Sequence, residues 1–151
     1  MTGSGFRFRL ERVRAVRERR EKLAQQELAA AISRQSNTEA DLRGSDADLE
    51  HARAEQRTAV EPKAVSATEL LARQAFLERI EAQRGRHARD LAQREAEVAE
   101  RDANLTVAAG EHEMLNRLRE RHRGEHAREA ARRESIVLDE IAAARFGRSG
   151  A

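Results

Sequence analysis

Two stretches of this chain, Leu10 to Ala59 and Leu70 to about Ala144, place apolar or small residues at alternating steps of three and four and contain no proline. A repeat averaging 3.5 residues keeps one stripe of a helix turned toward a partner helix over many turns. Between the stretches lies one break, Val60 to Thr68, which holds the only proline, Pro62. The pattern predicts an all-α chain: two long helices forming an antiparallel coiled-coil hairpin, the second longer than the first. Residues 1–151 are then a single unit with a helix over about 8–60, a turn over about 61–66 and a helix over about 67–144.

Composition supports a thin seam rather than a thick core. Aromatic residues make up 3% of the chain and charged residues 37%, so too little bulk is available for a layered globular domain. With no cysteine, disulfides, thiolate metal sites and cysteine nucleophiles are excluded. No apolar run approaches the length of a bilayer span and Met1 to Arg9 lacks the apolar segment of a signal peptide, so a cytoplasmic protein without direct membrane insertion is expected.

The turn has its own signals. Pro62 stops the first helix, and Ser66-Ala67-Thr68-Glu69 fits a capping box in which the serine and glutamate side chains satisfy each other's free N–H groups. A connection this short makes the helices antiparallel neighbours. The seam of the first helix reads Leu28, Ala31, Gln35, Thr38, Leu42, Ser45, Leu49, Ala52, Gln56, Ala59. That of the second reads Leu77, Ile80, Arg84, His87, Leu91, Arg94, Val98, Arg101, Leu105, Ala108, His112, Leu115. If paired residue numbers add to 129, small residues face large ones: Ala52 meets Leu77, Leu49 meets Ile80 and Ala31 meets Val98. Toward the N-terminus the stripe drifts to Val13, Val16 and Leu23, where coiling should weaken.

This register leaves the second helix with a surplus. Leu10 meets roughly Arg119, so the chain beyond about Glu120 is expected to have no intramolecular partner, although it carries Ile136, Val137, Leu138, Ile141 and Phe146. An uncovered apolar stripe is unfavourable by roughly 25 cal/mol per Å², which points to a partner protein. Two basic clusters lie at the same end. Arg7 to Lys22 holds eight basic and three acidic residues, and Arg117 to Arg133 seven and three. Between Thr38 and Glu61 the balance reverses to three basic and seven acidic.

Catalytic chemistry finds no support. The chain has no phosphate-cradling glycine loop, nucleophile elbow or HExxH motif. His122 and His126 have a spacing that can hold a metal ion, but two ligands among flanking arginines fit a solvated or packed face better. The carboxylates Asp46 and Asp48, and Asp139 and Glu140, stand two and one residues apart and diverge on a helix. No enzyme, cofactor or metal centre is expected. The basic runs are interleaved with glutamate and lack an aromatic platform, so nucleic acid is not the expected partner; an acidic protein surface matches them better.

Several segments resemble the FliJ family of the bacterial flagellar type III export apparatus. They are Phe6-Arg7-Phe8-Arg9-Leu10-Glu11-Arg12-Val13 with Arg17-Glu18 and Leu28-Ala29-Ala30-Ala31, the central Phe76-Leu77-Glu78-Arg79-Ile80, and Leu138-Asp139-Glu140-Ile141-Ala142. The family usually has tyrosine where Phe76 stands. The resemblance implies a non-enzymatic, shaft-like coiled coil of the flagellum, peripheral to the membrane-embedded export gate. Such a protein binds the hexameric export ATPase (FliI-like), promotes its assembly and activity, and links it to the FlhA gate, with export chaperones as further partners. Interaction residues on this reading are Arg7, Arg9, Arg12, Arg14, Arg17, Arg119, Arg123, Ile136, Val137, Leu138 and Ile141. The alternatives are a generic coiled-coil scaffold or homodimeric adaptor, in which two copies pair through their overhangs, and a basic helical nucleic-acid binder.

Overall fold

The computed structural model describes residues 5–59 and 65–148. They form two helices packed against each other, α1 (Glu11–Ala59) and the longer α2 (Ala67–Arg148), and no strand occurs among them. Pro62 and most of the turn lie outside the described residues. At the start of α2 the Ser66 hydroxyl accepts a hydrogen bond from the Glu69 N–H at 3.2 Å, while the Glu69 carboxylate receives Arg73 at 3.4 Å. The serine half of the expected capping box is therefore in place, and glutamate serves a side-chain pair one turn on.

By contacts the chain divides into two compact units, residues 23–106 and residues 1–22 with 107–151. Counted over the sequence, the first has 12 basic and 16 acidic residues and the second 17 and 11, so their formal charges are −4 and +6.

Within residues 23–106 the seam is apolar and narrow. Ala24, Ala31, Leu49, Ala52 and Leu77 are buried, as is Ser45, and Leu49, Ala52 and Leu77 form one cluster with Ile80 against it. These four residues are the layers that the 129 register pairs. Ion pairs flank the seam in the same antiparallel order: Glu27 with Arg101 at 2.9 Å, Arg34 with Glu97, Asp46 with Arg84, and Arg53 with Glu81 at 3.0 Å. Arg84 and Arg94 are exposed, although their spacing places them on the seam. Each reaches outward to an acidic partner, Arg84 to Asp46 and Arg94 to Glu97, because a guanidinium keeps its charge in water while its stem lies on the helix. Glu97 thus receives two guanidiniums; its hydrogen bonds to Arg34 and then Arg94 hold its carboxyl below the ordinary carboxylate range.

Candidate functional site: the basic unit

Residues 5–22 and 107–148 are held together mainly by polar contacts, and Phe8 is the one buried apolar residue among them. α1 begins at Glu11, against an expected start at about residue 8. Residues 5–8 have no regular secondary structure and residues 9–10 form a turn, and Phe6 and Phe8 strap this segment to α2. The Phe8 ring meets the His122 ring at 5.9 Å between centroids and 65°, and the Phe6 ring meets that of His126 at 5.8 Å and 57°. The match follows from rise per residue. Four helical residues advance about 6 Å, a distance within the reach of two residues outside a helix, so side chains two apart on the strap can meet side chains four apart on the helix. The expectation that α2 loses its intramolecular partner near Glu120 is therefore corrected: ring contacts continue to His126, although both histidines stay exposed. The 129 register places Phe8 within one residue of His122, and the non-helical start of the chain carries Phe6 three residues further than that register, to His126. The two histidines are spent on phenylalanine rings, and no group of three or more metal-ligating side chains occurs among the described residues.

Behind the strap a polar chain crosses from α1 to α2. His112 Nδ1 lies 2.6 Å from Glu21, Asn116 Nδ2 lies 3.3 Å from His112 Nε2, and Arg14 Nη1 donates to Asn116 Oδ1 at 3.4 Å. Every group finds its complement when Nδ1–H of the histidine donates to Glu21 and Nε2 accepts from the asparagine amide. Arg14 also donates to Glu11 at 2.7 Å, and Arg119 approaches the same carboxylate at 3.6 Å. That hydrogen bond from Arg14, with Arg119 adding its charge, holds the Glu11 carboxyl below its ordinary range. Glu18 is held low chiefly by its hydrogen bond from Lys22, at 3.1 Å. Arg17 completes the set by pairing with Glu111.

The basic residues singled out from the sequence accordingly divide. Arg14, Arg17 and Arg119 are half-buried and bind α1 to α2, whereas Arg7, Arg9 and Arg12 are exposed and belong to no ion pair among the described residues. Arg123 stands 4.0 Å from Glu120 on the surface of α2. The polar chain of Glu21, His112 and Asn116 was not foreseen; its signal was a histidine and an asparagine four apart, one of them at a seam position.

Residues 125–147 of α2 are all exposed. Leu138, Ile141, Ala142, Arg145 and Phe146 line a shallow groove of about 480 Å³ along it. Their spacing keeps them on one face at about 100° per residue, and Val137 borders that face. Ile136, grouped with them from the sequence, lies about 200° around the helix from Leu138 and stands off the groove. Phe146 is 82% exposed, an unusual position for the largest apolar side chain of the segment.

The pieces are thus a strapped basic end and an exposed apolar groove. No helix among the described residues is long and apolar enough to cross a membrane. No curated protein and no solved structure matches the chain. A family model described as flagellar FliJ protein matches residues 6–151, from the first strap phenylalanine through the groove. The chain therefore belongs to the flagellar FliJ protein family, non-catalytic components with a role related to flagellar export.

Proposed function

We propose that this protein is the coiled-coil component that binds the flagellar export ATPase, with the groove around Leu138, Ile141 and Phe146 as the contact and the exposed arginines of the strap end as its basic border. The observation that carries the reading is the exposure of residues 125–147 together with their one-sided apolar groove. A 23-residue helical segment that offers a leucine, an isoleucine and a phenylalanine to water lowers its free energy when a partner covers it. Because no catalytic group accompanies the groove, stimulation of the ATPase would come from stabilising its hexamer. Linkage to the FlhA gate and contact with export chaperones, in a cytoplasmic setting, rest on family resemblance.

The test compares full-length protein with a truncation after Arg128 and with Leu138→Asp/Ile141→Asp in binding to the purified export ATPase and in stimulating its hydrolysis. Both variants should keep the helicity and melting of residues 5–128 and lose binding. Undiminished binding by either variant refutes the assignment. Sedimentation separates the homodimeric alternative: a dimer that the same substitutions convert to monomer would give the groove to a second copy.

A further inference from the structure

The exposed arginines at the strap end, the basic border of the proposed ATPase contact, also line a concavity of their own. It encloses about 730 Å³ and is lined by Phe6, Arg7, Phe8, Arg9, Glu11, Arg12 and Arg119. Four arginines and one carboxylate therefore line it, a local surplus of three positive charges. The carboxylate is already engaged, since Glu11 is bonded by Arg14 at 2.7 Å and approached by Arg119 at 3.6 Å. Arg7, Arg9 and Arg12 have no acidic partner among the described residues.

The backbone that presents these arginines is anchored. The Phe6 and Phe8 rings are seated on His126 and His122, and the Phe8 carbonyl accepts the Glu11 N–H at 3.2 Å. Arg7 and Arg9 thus hang from a strap fixed at two points, and Arg12 from the first turn of α1. Guanidinium forks bind carboxylate and phosphate oxygens in pairs. A single carboxylate satisfies one fork and leaves most of the surplus charge unbalanced. A phosphate bearing several negative charges satisfies both the donors and the charge.

We infer that the concavity between the strap and the first turn of α1 is a binding site for a multiply charged phosphate group, held by Arg7, Arg9, Arg12 and Arg119. The group can be a free polyphosphate or phosphoryl headgroups on a lipid surface. The arginines are shared with the basic border of the proposed ATPase contact, whereas the groove at Leu138 and Ile141 is not, so the groove variants that test that contact leave this inference untouched.

The experiment uses the full chain at fixed, moderate salt. Sodium tripolyphosphate is titrated by calorimetry, and vesicles of phosphatidylglycerol are compared with vesicles of phosphatidylcholine by co-sedimentation. Arg7→Gln/Arg12→Gln removes two of the forks at exposed positions, so circular dichroism should show unchanged helicity and melting. Arg57→Gln/Arg86→Gln removes the same charge from two exposed arginines of the other unit that belong to no ion pair among the described residues. Loss of a charge-assisted fork weakens binding by about tenfold or more. Tripolyphosphate binding that falls by at least that factor in the first variant and holds in the second supports the site with free polyphosphate as a ligand. Binding to the anionic vesicles alone, with the same pattern across variants, supports it with lipid as the source of phosphoryl groups. No binding of either probe, or equal losses in the two variants, overturns it.

Discussion

Replacing Leu77 with alanine measures how much of the fold the narrow seam supplies. Leu77 is 8% exposed and belongs to the cluster with Leu49, Ala52 and Ile80. The substitution removes three carbons, worth about 0.8 kcal/mol each when buried, or about 2.4 kcal/mol together. In a thick core a cavity would add to this, and losses reach about 5 kcal/mol. Here two helices are all that enclose the side chain, so water and the neighbouring stems fill the gap and the cost should stay near 2 to 3 kcal/mol. For a chain of this size that lowers the melting temperature by roughly 5 to 10 °C. Leu71, six residues earlier on the same helix, is 70% exposed, and its alanine variant should stay within about 0.5 kcal/mol of the parent. Urea and thermal unfolding followed by circular dichroism read both. Equal effects at the two positions would refute the register, because a leucine stabilises the hairpin only where the facing helix covers it.

Further outcomes concern other links in the structure. Gly44 sits mid-helix with a helical backbone and open space where a Cβ would stand, so Gly44→Ala should raise stability by about 1 kcal/mol in the same unfolding assay. Because the Glu97 carboxyl is held low in the folded chain, its pairs with Arg34 and Arg94 contribute above the ordinary carboxylate range and are lost as pH falls below it. Glu97→Gln should therefore lower the melting temperature at neutral pH and flatten its decline on acidification, whereas identical pH profiles would count against the pairing. Phe8→Ala should release the strap: amide exchange at residues 9–12 should accelerate while the amides around Leu49 and Leu77 keep their protection.

Residue periodicity determined the fold class, the register of the apolar layers and the surplus of the second helix. Those features depend only on which side chains recur at 3.5-residue spacing, and residues 23–106 use them as a ladder of small against large. The uncovered groove was legible for the same reason, apart from Ile136, whose apolar character said nothing of its angle around the helix. Tertiary structure alone decided the rest. Arg14, Arg17 and Arg119 differ from Arg7, Arg9 and Arg12 by which carboxylate or amide the other helix happens to present, and no pattern within one helix encodes that. The strap is the plainest case: residues 5–8 are not helical and advance further per residue than a helix does, so Phe6 reaches His126, three residues beyond the position the helical register gives it.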